Sequence, residues 1–283
     1  MKKSGCKKWI WLVALALILA ALVGWITWEN TALECNTYIV ENEKLPQAFD
    51  GYRIAQISDL HNDEMGKNNE KLLAMLRQAQ PDMIAITGDL IDYYHTEVEI
   101  SVAFVKEAVK IAPCYFVTGN HEARVAEYND FRKEIESLGV CVLSDATKAL
   151  EKDGQTILLM GVDDPYFISK DEKGVLKKKL RWLVGEDDPY TVLLSHRPSS
   201  FALYVESGVD LVLAGHLHGG QFRIPFLGGL FTPSTGFFPE YDAGLYTQGE
   251  TSMVVSRGIG NSIFPFRINN RPELVLIELQ AGN

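Results

Sequence analysis

A chain of 283 residues with 47% apolar and 23% charged residues has the make-up of a folded globular protein, which excludes extensive disorder and leaves ample length for a buried core. Its 37 acidic residues outnumber 27 basic ones, and four of the lysines fall in the first eight positions, so the body is strongly acidic. Such a body repels a nucleic-acid backbone and excludes one as main partner, although bound divalent cations would reverse the sign locally and admit a small phosphate substrate.

Lys2, Lys3, Lys7 and Lys8 form a basic tail over residues 1–8. Residues 9–28 follow without a charge, about the length a helix needs to cross a bilayer core of roughly 30 Å. Trp9, Trp11, Trp25 and Trp28 lie near the two ends of the run, as interfacial aromatics do. The lysines before it place Met1 in the cytoplasm, which predicts a single-pass cell-membrane protein with an extracytoplasmic body. The competing reading is a cleaved signal peptide. The run exceeds the usual signal core of roughly 7–15 residues and no small-x-small site follows, which favours an uncleaved anchor.

Residues 29–49 read as a linker with a leading strand at 36–40, and residues 50–283 as one domain. Within it, apolar runs of strand type (52–58, 83–87, 114–118, 140–143, 156–161, 191–195, 211–214, 253–256 and 274–279) alternate with helical patterns (69–80, 98–111, 124–138, 174–184 and 199–206). That alternation predicts a layered α/β fold with largely buried strands. The cysteines at 6, 35, 114 and 141 lack metal-ligand spacing; Cys114 and Cys141 either pair or remain buried thiols.

The polar residues collect where predicted strands end. The five blocks are Asp59-Leu-His61, Gly88-Asp89, Gly119-Asn120-His121-Glu122, His196 and Gly215-His216-Leu-His218, which together hold five of the six histidines. Only His95 falls elsewhere, in a polar loop. In open α/β sheets, ligands bind beyond the carboxyl ends of strands, so the five blocks are expected at one edge. His216 and His218 are two apart, which puts both side chains on one side of an extended segment. Buried Asp and His are costly unless paired or coordinated. Mixed carboxylate, amide and imidazole donors suit divalent ions, Mn foremost, with Fe, Zn or Mg as alternatives. Eight candidates exceed what one ion uses, so two are expected, about 3.5–4 Å apart when a carboxylate bridges them.

In this order the blocks resemble the calcineurin-like metallophosphoesterases. Residues 215–221 followed by Pro225, Gly228-Gly229 and Pro239-x-Tyr241 are similar to a bacterial membrane-anchored branch that includes enzymes acting on UDP-diacylglucosamine. The resemblance implies a four-layer αββα sandwich. It implies one metal on Asp59, His61 and His218, another on Asn120, His196 and His216, and Asp89 as the bridge. His121 would be the non-ligand acid near the leaving group. Glu122, where the family more often has Asp, would lie behind His121. Hydrolysis of a phosphodiester or pyrophosphate bond by a metal-bridging hydroxide follows, on a lipid or cell-envelope substrate. A nucleotide phosphodiesterase, a phosphomonoesterase and a non-catalytic metal-binding scaffold are the alternatives. No obligate protein partner is evident.

Two features lie beyond the blocks. Residues 222–231 and 237–239 are unusually apolar and Gly/Pro-rich, which suits a rim holding an acyl chain, a loop dipping into the bilayer, or a hairpin packed on the sheet. Arg223, Arg257 and Arg267 are candidates for binding a second phosphate or a nucleotide.

Overall fold

The computed structural model describes residues 3–167, 172–185, 189–261 and 264–282, with side chains from residue 8 onward. Of the expected basic tail, Met1 and Lys2 lie outside the described residues, and residues 3–8 already belong to the first helix. Helix α1 (Lys3–Thr31) carries the apolar run; over residues 8–31 it is long and apolar enough to cross a membrane, and its apolar stretch is not buried by the rest of the chain.

The expected linker is short. Only Ala32 and Leu33 separate α1 from β1 (Glu34–Asn42), a nine-residue strand rather than the five read from the sequence. Then follow β2 (Arg53–Ile57), α2 (Glu70–Ala79), β3 (Met83–Thr87), α3 (Val98–Ala108), β4 (Cys114–Val117), α4 (Tyr128–Ser137) and β5 (Cys141–Val142). The second half adds β6 (Ala146–Lys152), β7 (Gln155–Gly161), α5 (Glu172–Val184), β8 (Thr191–Leu194), α6 (Phe201–Glu206) and β9 (Leu211–Ala214). Two small hairpins come next, β10 (Arg223–Ile224) with β11 (Gly228–Gly229) and β12 (Phe231–Thr232) with β13 (Gly236–Phe237). The chain closes with β14 (Gly244–Gln248), β15 (Thr251–Val255) and β16 (Glu273–Ala281).

Two six-stranded sheets result, in the orders β1-β16-β2-β3-β4-β5 and β14-β15-β9-β8-β7-β6. Strand alternation sorts their side chains into three cores. In β9, Leu211 and Leu213 enter the core between the sheets, while Val212 and Ala214 face Phe201 and Tyr204 of α6. In β3, Met83 and Ala85 face the second sheet, and Ile84 and Ile86 pack with Leu72, Phe104 and Phe131 of α2, α3 and α4. The four layers are therefore α, β, β and α, as the resemblance implied. Central strands covered on both faces read as continuous apolar runs.

Departures from the sequence reading have local causes. The helix expected over 124–138 begins at Tyr128, because Val125 is extended (φ −85°, ψ 124°) after a 3-10 turn at Glu122–Arg124. The helix expected over 199–206 begins at Phe201, after a 3-10 turn at Pro198–Ser200. Strand β6 escaped notice because Ala-Thr-Lys-Ala-Leu-Glu-Lys is a mostly exposed edge without an apolar run. Its hairpin with β7 turns at Asp153-Gly154, both with positive φ (50° and 76°), the Asp-Gly pair that favours a two-residue turn. Cys35, Cys114 and Cys141 are free thiols, so Cys114 and Cys141 do not pair.

Candidate metal centre

Strands β2, β3 and β4 are mutually parallel, as are β8 and β9, so within each sheet the carboxyl ends share one edge. The two edges meet, and the loops beyond them bring all the expected donors together. Asp59, His61 and His218 offer ligand atoms within 4.8 Å of one another, and so do Asp89, His196 and His216. The groups adjoin: Asp89 Oδ2 lies 3.1 Å from His196 Nε2 and 3.8 Å from His61 Nε2. Asn120 and His121 are buried in the same place.

The local backbone is bent to do this. Asp59, His61, Asp89, His216 and His218 all have φ between 47° and 72°, the left-handed region that side chains usually avoid. Such strain persists where the surroundings over-determine it, and it clusters at functional sites. Two glycines make the approach possible. A methyl group at Gly119 would meet the Asp89 carboxylate, and one at Gly215 would meet the Ser58 hydroxyl and Asp59.

Hydrogen bonds fix which imidazole nitrogens are free. His61 Nδ1 bonds Asp92 Oδ2 at 3.0 Å, and His218 Nδ1 bonds the Gly260 carbonyl at 3.2 Å. Each therefore donates through Nδ1 when neutral and keeps its lone pair on Nε2, and these two Nε2 atoms face each other at 3.1 Å. His196 Nδ1 likewise bonds the Thr87 carbonyl at 2.7 Å, which turns its Nε2 toward Asp89 and toward His216 Nδ1 at 3.2 Å. Asn120 Oδ1 is buried without a hydrogen-bond partner. Lone pairs converging without donors are what a divalent cation requires, so these residues fit metal ions.

Electrostatics agree. Burial, and then the neighbouring His196 and His61 charges, hold His216 and His218 respectively well below the ordinary imidazole range, keeping them in the neutral form that ligates. Burial pushes the Asp59 carboxyl up. Burial would do the same to Asp89, but the charge and hydrogen bond of His196 outweigh it and hold Asp89 well below the usual carboxylate range. Burial opposes protonation of His196, yet Asp89 beside it brings the imidazole up to about 10. A dication competes with that proton for the same lone pair.

Two acidic residues differ from expectation. Glu122 does not lie behind His121. Its carboxylate accepts the backbone N–H groups of Asp89 (2.9 Å), Leu90 (2.8 Å), Ile91 (3.2 Å) and Gly119 (2.7 Å), clamping the turn that presents Asp89. Asp92, which sequence reasoning passed over, takes the place instead: its Oδ2 bonds His61 and stands 3.3 Å from His121 Nδ1. Its spacing, three residues beyond Asp89, was the available signal. In the neutral ring His121 Nδ1 also accepts the Tyr93 N–H at 3.0 Å, which leaves Nε2 to carry the proton; in the charged ring Nδ1 would donate to Asp92 instead.

Asp89, Asn120, His121, His216 and His218 open onto one cavity of about 290 Å³, whose wall also includes Tyr94, Arg124, Tyr166, Arg197, Phe231 and Phe264. The three arginines singled out from the sequence do not line it. Arg223 pairs with Asp242 at 2.9 Å, Arg257 pairs with Glu273 at 2.7 Å and with Glu34, and Arg267 is fully buried, donating to the Arg257 carbonyl at 2.8 Å and to Gly260. His95 stays apart from the cluster, on the exposed loop where its carbonyl accepts from Asn62.

Comparison with known proteins gives the same reading. Residues 52–220 match the model of the calcineurin-like phosphoesterases. The chain is 28% identical to an uncharacterized metallophosphoesterase of Bacillus subtilis, YkuE, with 90% of this chain and 88% of that one covered. It is 30% identical to a transmembrane protein with a metallophosphoesterase domain from Danio rerio, with 95% of this chain but only 62% of the fish protein covered. It is 28% identical to the phosphodiesterase YaeI of Escherichia coli, with 81% and 82% covered. The matched segment takes in more than half of the sequence and every strand-end donor, and on that ground the chain belongs to the calcineurin-like phosphoesterase family.

Proposed function

We propose that this protein is a membrane-anchored hydrolase that cleaves a phosphodiester or pyrophosphate bond with two divalent ions, manganese foremost. Asp59, His61 and His218 would hold one ion, Asn120, His196 and His216 the other, and Asp89 would serve both. The observation that carries this reading is the pair of donor groups flanking Asp89 in one cavity with His121. Bound there, the ions supply Lewis acidity, acidifying water and offsetting charge on phosphoryl oxygens.

The remaining work falls to the side chains. Glu122 fixes the Asp89 turn through four backbone donors, and Asp89 Oδ1 in turn accepts the His121 N–H at 2.7 Å. Asp92 orients His61 through its Nδ1 edge and would accept the Nδ1–H of a charged His121. His121, which is absent from the two donor groups around Asp89 although it could join His61 and Asp92 in a third, would act from its charged form, giving its Nε2 proton to the departing oxygen and returning to the neutral ring, a task suited to an imidazole. The intact His121 weighs against a non-catalytic scaffold.

The substrate is proposed to be a lipid or another envelope molecule met at the bilayer surface, with the body on the extracytoplasmic side. Two observations support this. The end of α1 is bolted to the site: Glu29 accepts the Asn270 N–H at 3.1 Å, and the Asn270 side chain donates to the His218 carbonyl at 2.7 Å. Asn30 and the Arg267 backbone exchange hydrogen bonds beside it. The other observation is an apolar rim. Phe226 is fully exposed at the tip between β10 and β11, Phe237 and Phe238 are exposed on the next hairpin, and Phe264 and Phe266 stack on Phe222 next to the segment that receives α1. Exposed aromatics in a chain that also carries a helix long enough to cross a bilayer suit contact with lipid.

The test is hydrolysis of bis-p-nitrophenyl phosphate by the full chain in detergent, with Mn²⁺ added, then chelated, then restored. The reading predicts activity that falls to background with chelator and returns with Mn²⁺. Hydrolysis indifferent to chelator, or absent throughout in folded, metal-loaded protein, contradicts it.

A further inference from the structure

The cavity wall carries one cation whose charge nothing in the described residues answers. Arg124 ends the 3-10 turn that begins at Glu122, and its N–H donates to the His121 carbonyl at 2.9 Å, so one turn carries the proposed acid and this guanidinium. Both side chains line the cavity. The Arg124 guanidinium lies 4.3 Å from the centre of the Tyr166 ring and 5.8 Å from that of Tyr93, and among the described residues no carboxylate pairs with it. The second arginine of the wall differs. Arg197 also lies over Tyr166, at 5.0 Å, but Asp164 grips it through two hydrogen bonds of 2.7 and 3.1 Å. In a chain with ten more acidic than basic residues, a half-buried guanidinium left to aromatic rings alone is conspicuous.

We propose that Arg124 is a specificity-determining residue that binds a second anionic group, a phosphate or a carboxylate, on the leaving half of the substrate. The proposal rests on the reading of His121 as the acid at the leaving oxygen. The chemistry favours it. A guanidinium presents a planar fork that matches phosphate and carboxylate oxygens, and stacking on tyrosine rings holds the fork in place before the anion arrives. Partial removal from water makes the pairing stronger than at an open surface. Arg197, already neutralised by Asp164, is left to shape the wall. A pyrophosphate, or a diester whose alcohol carries a phosphate or carboxylate, fits this arrangement; a diester with an uncharged leaving group leaves Arg124 without a partner.

The experiment measures binding, not turnover, on the Mn²⁺-loaded full chain in detergent micelles. Calorimetry compares propylphosphonate, 4-phosphonobutyrate and propane-1,3-diphosphonate, which share a three-carbon chain and differ in a second anion that is absent, a carboxylate or a phosphonate. The wild type is expected to bind at least one of the two bifunctional compounds about tenfold more tightly than propylphosphonate, the gain of one charge-assisted hydrogen-bonded pair. The better of the two identifies carboxylate or phosphate as the preferred group. Arg124→Gln should erase the preference and leave propylphosphonate binding within about twofold, which also reports an intact fold, and Arg124→Lys should restore part of it. A wild type without the preference, or an Arg124→Gln variant that weakens all three compounds alike or none, overturns the proposal. None of the three is hydrolysed, so a protein inert toward bis-p-nitrophenyl phosphate that still shows the preference would refute the hydrolase reading and the assignment to a leaving group with it, while keeping Arg124 as the residue that binds the second anion.

Discussion

The strand-end loops and the aromatic hairpins after His218 are built on opposite terms. In the loops, polar side chains turn inward: Asp59, His61, Asp89, Asn120, His196 and His218 are buried, and glycines hold the space around them. In the hairpins, apolar side chains turn outward, with Phe226, Leu227, Phe237 and Phe238 all exposed. Buried polar groups must be coordinated or bonded, and exposed aromatics gain most from a partner outside the chain. The contrast teaches a division of labour. On the proposed reading, the loops would fix which chemistry is run, and the hairpins and cavity wall would govern where and on what.

Breaking the loops should have the largest effects. Asp89→Ala is expected to remove metal and activity together, read by elemental analysis and by hydrolysis of bis-p-nitrophenyl phosphate. His121→Ala should keep its metal yet lose about 10²–10⁴ in kcat, the usual contribution of a positioned acid. Equal metal loss in the two variants would erase the distinction drawn between ligand and acid. Glu122→Ala comes next. It strips acceptors from four backbone N–H groups, each costing about 1–3 kcal/mol when left unpaired, so it should lower Tm and weaken metal binding at once. A variant with wild-type Tm and metal content would show that the clamp is dispensable.

Changes in the hairpins should be smaller and selective. Phe226→Ser is expected to weaken binding to phospholipid vesicles by about tenfold, roughly the worth of one buried aromatic side chain, while sparing turnover of the small diester. Phe231, read from the sequence as its equal, instead lines the cavity, so Phe231→Ser should alter turnover of both lipid and small substrates. Identical behaviour of the two variants would sink the separation of rim from wall. The smallest effect on turnover belongs to Arg223→Gln. It breaks a largely buried pair with Asp242 and a bond to the Gly219 carbonyl, so Tm should fall, while kcat/KM on the small diester should hold.

The same contrast explains what could be seen from the sequence. A candidate donor such as Asp59 stands directly after an apolar strand and two places before another, His61, so strand ends and spacing sufficed to point to the whole cluster. Asp92 and Glu122 needed the fold. Each sits one turn from a candidate donor, and only the meeting of the β3 and β4 loops decides that Glu122 holds backbone while Asp92 holds the His61 imidazole. Arginines were illegible for a related reason. Sequence gives their charge but not their partner, and Asp242, Glu273 and Asp164 reach their arginines from elements far along the chain. Strand β6 was lost because an exposed edge has no apolar signature, although Asp153-Gly154 marked its turn.

The central claim is that two divalent ions, held on either side of Asp89, are both needed for hydrolysis. Titrating Mn²⁺ into metal-stripped full chain, while bound metal and hydrolysis of bis-p-nitrophenyl phosphate are recorded together, tests it most directly. The account predicts saturation at two ions per chain, with activity following the second. Full activity at one ion per chain, or two bound ions with no hydrolysis, would contradict it.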